Sequence, residues 1–412
     1  MMNFIKDSAN KTPIEDTVFA IVEKAKAAKQ KVGSENVVDA TIGSLYDENG
    51  NLVAFNSVFD TYDAIRKETK AAYAASFRGN PSFREQVKQW TIGQADVRLA
   101  SSVIATPGGT GAVALTIEDV LEIDETLIIP DIAWGSYALM ATDKHLKCAK
   151  YQMFDGEHFN IASLKEEVLK VIDNQKRICV IINDPCHNPT GYSLTQQEWD
   201  EIIDFMNECS KKVPCVILND IAYIDYAYDL ANSRKYMETF NRIGENVMVI
   251  IAFSCSKTLT SYGLRCGAAV ILAQDEESVK QAEIVFEKTA RATWSNIPNA
   301  AMDNFTLVTT EHLADFMKEK AGYIDLLKQR SDILVQEAKA CELPIYPYKE
   351  GFFVTIKVED NHLRDIYHEK LMMNHIFTVK VNKGIRVAVC SLSVDRCYGL
   401  AKRLKDILDE CR

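Results

Sequence analysis

The sequence predicts an α/β protein with a mostly parallel sheet between helices, followed by a smaller α+β unit. Three observations carry this. Seven short apolar runs alternate with amphipathic stretches between about residue 100 and residue 273, the pattern of strands joined by helices. A long helical region then runs to about residue 340, followed by two more strand-like runs and a last helix. Polar clusters fall just beyond several apolar runs, where open α/β sheets hold their ligands.

Taken in order, residues 1–13 are polar and read as a flexible or partner-grasping arm. "IEDTVFAIVEKAKAAKQK" (14–31) has helical periodicity. The strand runs are "VIATPG", "ETLIIPD", "KCAKYQMF", "RICVIINDP", "PCVILND", "NVMVIIAFS" and "CGAAVILA". "TGAVALTIEDVLE" and "LTQQEWDEIIDFMNECSKK" are among the amphipathic helices between them. "GFFVTIKV" and "IRVAVCSL" read as strands of the last unit, and "CYGLAKRLKDILDE" as its closing helix. The expected division is an arm (1–13), a large α/β domain (51–319) and a small α+β domain (14–50 plus 320–412). A helix is expected to run through the boundary at 315–325.

Composition narrows the function. The 412 residues, 47% hydrophobic and 25% charged, are ordinary for a globular protein with two or more domains. A net charge of −11 argues against broad nucleic-acid binding, though not against a local basic pocket. No uncharged apolar run is long enough to cross a membrane, and "MMNFIKDSANKTP" lacks a signal-peptide core. The 11 cysteines are scattered without a CxxC pair and read as buried thiols in a reducing cytoplasm. The seven histidines show no metal-binding spacing, so no metal is expected.

Four clusters carry chemistry. "TPGGTGA" (106–112) frees backbone N–H groups to approach a phosphate at a helix N-terminus; by itself it reads as a tight turn and cap. "NDPCHNPTG" (183–191) is a strong turn signal that brings Asn188 to the end of a strand. "LNDIAYIDY" (218–226) places Asp220 at another strand end with Tyr223 three residues on, and by itself reads as a capped turn. "SCSKTLTSYGLRCG" (254–267) surrounds Lys257 with small hydroxyls. A solvated lysine needs no such ring; a lysine that must become neutral and attack a carbonyl does. Ser254, Ser256 and Arg265 suit a phosphate dianion, and the glycines around Arg265 predict a tight bend there.

In this order and spacing the clusters, with "RATWSN" (291–296), resemble the fold-type-I, pyridoxal-phosphate-dependent class I aminotransferases, in particular the aspartate and aromatic aminotransferases. The resemblance runs from "ATIGSLYDENG" to "GIRVAV". It implies a seven-stranded sheet and pyridoxal 5'-phosphate attached through Lys257. Gly108, Gly109, Thr110, Ser254, Ser256 and Arg265 would hold the phosphate, and Asp220 would face the pyridine nitrogen. Asn188 and Tyr223 would bond the ring oxygen. Trp134 would stack on the ring; without the family, a core aromatic is an equal reading of it. Lys257, Asp220 and Tyr223 are the implied catalytic set. Arg386, Gly43, Trp134 and Asn188 would meet the substrate, and Arg291 its distal carboxylate across a homodimer interface. Tyr73 would reach the partner's cofactor. Tyr137 departs from the pattern, standing where near relatives often carry a histidine behind the aspartate. The implied activity moves an amino group between aspartate or an aromatic amino acid and 2-oxoglutarate. A β-lyase or a monocarboxylic aminotransferase on the same fold is the alternative.

Overall fold

The structure, a computed structural model, describes residues 4–7, 9, 11–13 and 17–412. Of the predicted arm, residues 1–3, 8 and 10 lie outside the described residues, as do 14–16 of the first predicted helix, which is seen as Thr17–Val32.

All seven predicted runs form one sheet. Its strands are β1 (Ala100–Thr106), β2 (Thr126–Pro130), β3 (Lys147–Tyr151), β4 (Ile178–Asn183), β5 (Cys215–Asp220), β6 (Val247–Ser254) and β7 (Gly267–Ala273). Their order is β1-β7-β6-β5-β4-β2-β3. Strand β7 runs antiparallel to both neighbours, and the other pairs are parallel. Every residue of β4, β5 and β7 is buried. That is why these segments read as unbroken apolar runs rather than as alternation: helices cover both faces of a parallel sheet. Helix Gly108–Val120 packs on β6 and β7, and Glu276–Thr293 on β1. Helix Gln196–Cys209 starts with a capping box between Thr195 and Glu198, which satisfies two N-terminal amides.

The long helical region is three helices, Glu276–Thr293, Asn299–Thr310 and Leu313–Ala340. Proline at 298 disfavours continuation of the first and leads into the second. The third does run through 315–325. Beyond it, β8 (Phe353–Lys357), β9 (Val379–Val381) and β10 (Gly384–Ala388) form an antiparallel sheet in the order β8-β10-β9. The short strand Val38–Asp39 pairs with Ile376–Phe377, so the N-terminal segment joins this C-terminal layer. Among the described residues, no helix is long and apolar enough to cross a membrane.

Candidate active site

The carboxyl ends of β4, β5 and β6 open on a cavity of about 130 Å³. It is lined by Gly109, Thr110, Trp134, Asn188, Asp220, Tyr223, Ser254, Ser256, Lys257 and Arg265, with Tyr137, Asn183 and Ala222. Ten of the predicted site residues thus meet in one place, although the chain separates them by up to 156 positions, from Gly109 to Arg265.

One end suits an anion. Helix Gly108–Val120 points its N-terminus at the cavity, with free backbone amides and a positive dipole end. Ser254 caps the short helix Cys255–Thr258 by accepting from the Ser256 amide. Arg265 is exposed to the cavity; its Nη1 donates to Ser256 Oγ at 3.1 Å and its Nη2 to the Pro107 carbonyl at 3.3 Å. Gly108 has φ +73, a conformation that favours glycine, and a Cβ there would come within 2.7 Å of Arg265 Nη2. The predicted tight bend is present, but it is made by Thr260 (φ 48) and Arg265 (φ 51) rather than by the glycines beside Arg265. These left-handed conformations are costly for such residues. The costs are offset by the hydrogen bonds each makes: Thr260 Oγ1 accepts from the Phe55 amide, and Arg265 donates twice from Nη1.

The other end suits a cation. Asp220, 5% exposed, ends β5. Its Oδ2 accepts from the Tyr137 hydroxyl at 2.6 Å, and its Oδ1 from the Ala222 amide at 3.1 Å. Burial pushes its carboxyl above the ordinary value, while Tyr137, the Ala222 amide and Lys257 pull the other way. Asn183 fixes the neighbouring loop: its Nδ2 donates to the Asp220 carbonyl at 2.8 Å, and its Oδ1 accepts from the Asn188 amide at 2.7 Å. Trp134 meets Tyr137 edge to face, with centroids 5.4 Å apart. Between the two ends, burial and then the charge of Arg265 lower the Lys257 amine to about 8.

Arg386 sits on β10 beside this cavity, lining an adjoining groove with Trp134 and Asn188. Its Nη1 donates to Asn188 Oδ1 at 3.2 Å and its Nη2 to the Thr41 carbonyl at 2.8 Å. It stacks over Phe353 at 4.3 Å. Its Nε is buried with no partner. The guanidinium is thus fixed from two sides, with one donor left without a partner. Gly43 approaches the same place: a Cβ there would fall 2.8 Å from Phe353 and 3.8 Å from the Tyr223 hydroxyl.

Two predicted residues lie apart. Arg291 is exposed at the end of Glu276–Thr293, stacked on Phe77 at 4.6 Å and donating to Ser295 Oγ at 2.6 Å. Tyr73 is 88% exposed. The sequence does not single out Asn183 or Phe353 as site residues, and it marks Tyr137 only as a departure from the family pattern. Tyr137 had a local signal, one helical turn after Trp134; Phe353 had none.

The family model described as aminotransferase class I and II matches residues 35–404. The aromatic-amino-acid aminotransferase of Paracoccus denitrificans is 26% identical over 76% of this chain and 79% of its own length. The mitochondrial aspartate aminotransferase of Schizosaccharomyces pombe is 25% identical over 76% of this chain and 71% of its own. The crystal structure of an aminotransferase from Anaerococcus prevotii superposes with a TM-score of 0.95, at 34% identity, covering 98% of this chain and 99% of that one.

Proposed function

This chain belongs to the class I and II aminotransferases, and from that premise we propose that it moves an amino group between aspartate or an aromatic amino acid and 2-oxoglutarate. Its cofactor is pyridoxal phosphate. The cavity fits that group: an anion cradle at one end, a buried carboxylate at the other, and a lysine of lowered basicity between them. When bound, the cofactor supplies an aldehyde for the amine and a protonated ring that accepts the electron pair left at the substrate's Cα.

The chain's own residues then divide the work. Ser254, Ser256, Arg265 and the amides of Gly109 and Thr110 bind the phosphate and fix the ring's position. Asp220, whose charged form the Tyr137 hydroxyl and the Ala222 amide favour against the effect of burial, holds a proton on the ring nitrogen. Asn188 and Tyr223 orient the ring oxygen, and Trp134 covers the ring face. Arg386 binds the α-carboxylate with its guanidinium fork, with the Gly43 backbone alongside. Lys257 Nζ, at about 8, is neutral in roughly a tenth of molecules at pH 7. That neutral fraction lets it take the Cα proton and return it on the far side of the transfer.

The observation that carries this reading is the convergence of Lys257, Asp220 and Arg265 on one cavity beside a buried arginine with an unmet donor. The adjoining groove sets Leu139, Val379 and Val381 beside Lys150, Arg364 and Lys380; its apolar walls are what a monocarboxylic donor, the second reading, would meet. A homodimer, with Arg291 and Tyr73 reaching the partner's site, is supported by the exposure of both residues. The division into a large domain (51–319) and a small one (14–50 plus 320–412) is supported by the pairing of Val38–Asp39 with Ile376–Phe377. The 11 free cysteines support a reducing, cytoplasmic setting. The test is a panel of amino donors with 2-oxoglutarate, with sedimentation of the holoenzyme. Turnover of neither aspartate nor any aromatic donor would falsify the substrate assignment.

A further inference from the structure

Tyr262 lies five residues after Lys257, and several contacts converge on it. The Lys257 Nζ stands over its ring, 5.0 Å from the centroid. Its hydroxyl accepts from the Leu45 amide at 2.9 Å. Its carbonyl accepts from Arg265 Nη1 at 2.9 Å. Two residues earlier, Thr260 Oγ1 accepts from the Phe55 amide at 3.0 Å. The segment after the lysine is therefore fastened twice to residues 45–55. That stretch follows directly on the loop 41–45, where the Thr41 carbonyl accepts from Arg386 and Gly43 faces Phe353 and Tyr223.

We infer that Tyr262 is a positioning residue that fixes the Lys257 amine relative to the loop 41–45, and through that loop to the Arg386 guanidinium. The inference rests on the reading of Lys257 as the cofactor lysine and Arg386 as the carboxylate clamp.

Two parts of the side chain act separately. The ring face attracts a cation through its quadrupole, so it steadies the charged form of the nitrogen above it. The hydroxyl meets a backbone amide that would otherwise lose its partner. Burial pushes the phenol's pKa far above its ordinary value, so it stays neutral in both tasks. The distance between amine and guanidinium matters because a misplacement of about 1 Å between reacting groups can cost roughly a hundredfold in rate. A tyrosine that merely filled space would be replaced by phenylalanine without effect. The other groups facing Lys257 are Arg265, Asp220, Arg386, Cys390 and Tyr223, and both variants below leave them in place.

The test uses the cofactor-loaded enzyme with two variants and two readouts. One readout is the pH titration of the visible absorbance. The other is KM for L-aspartate or L-phenylalanine, whichever the wild type turns over. Tyr262→Phe keeps the ring and loses the hydroxyl. Its titration should match wild type, while KM rises roughly three- to tenfold, the effect of one lost hydrogen bond. Tyr262→Leu loses both, so KM rises and the titration midpoint also falls by roughly half a unit. A phenylalanine variant with wild-type KM, or a leucine variant that titrates like the phenylalanine one, overturns the proposal. A wild-type enzyme without visible absorbance would instead overturn the assignment of Lys257, before any variant is measured.

Discussion

Replacing Tyr137 with phenylalanine removes a single atom from a fully buried place. The hydroxyl donates to Asp220 Oδ2 at 2.6 Å, and Tyr137 is 0% exposed. A hydrogen bond to a charged group contributes roughly 1.5–3 kcal/mol net. Since one pKa unit is about 1.36 kcal/mol, losing the bond should raise the Asp220 carboxyl by roughly one to two units. Burial already holds that carboxyl above its ordinary value, and the Ala222 amide and Lys257 are the remaining counterweights. The sign follows directly. Asp220 must be ionised to hold the ring nitrogen's proton, so the acid limb of the activity profile moves to higher pH. Turnover on the acid side of neutrality falls by roughly ten- to a hundredfold, the same free energy read as a rate. The assay is the pH dependence of kcat for the best donor, with the cofactor absorbance followed alongside. Tyr137→His, which can still donate, should recover part of the loss. A phenylalanine variant with the wild-type acid limb would refute the reasoning and leave Tyr137 as packing for Trp134.

Lys257→Ala should abolish borohydride-stable attachment of the cofactor and nearly all turnover; mass spectrometry after reduction reads the first, and a retained adduct would move the attachment site elsewhere. Arg386→Lys keeps the charge but loses the planar fork, so KM for the amino donor should rise roughly ten- to a hundredfold. Arg291→Ala should lower the ratio of dicarboxylic to aromatic specificity constants by roughly 30-fold to several thousandfold; an unchanged ratio would reduce Arg291 to its contacts with Phe77 and Ser295. Asp225→Ala tests stability rather than chemistry. Asp225 accepts from Arg234, Thr258 and Trp90 and faces the buried Lys320 at 3.8 Å. Its removal leaves two buried cations uncompensated, at roughly 3–5 kcal/mol, read as a fall in the urea midpoint. Asp204→Ala, an exposed partner of Arg242, should cost about 1 kcal/mol or less. Burial raises the Asp225 carboxyl, but Lys320 and then Arg234 outweigh it and hold it well below the usual carboxylate range. Its stabilisation is therefore present above the ordinary carboxylate pKa and is lost only as pH falls through the lowered value.

The amino-acid sequence by itself determined the strands, because each β4-, β5- or β7-type run is buried on both faces and so carries an unbroken apolar signature in a few consecutive residues. It determined the lysine and its hydroxyl ring for the same reason: Ser254, Ser256, Lys257 and Arg265 lie within twelve consecutive residues, and their chemistry is local. The Ser-Asn-Ile-Pro turn, legible in the chain, likewise ends one helix and admits the next. Only the tertiary structure decided which residues stand behind these. Tyr137 meets Asp220 from 83 positions away, Arg386 meets Asn188 from 198 and Thr41 from 345, and Leu45 meets Tyr262 from 217. No periodicity connects such pairs, because each is set by where two strand ends or a strand and a loop happen to close. The bend at Arg265 was likewise decided in three dimensions. The flanking glycines suggested where the chain would turn. Contacts with Ser256 and Pro107 hold the arginine itself in the left-handed region, which local preference alone disfavours.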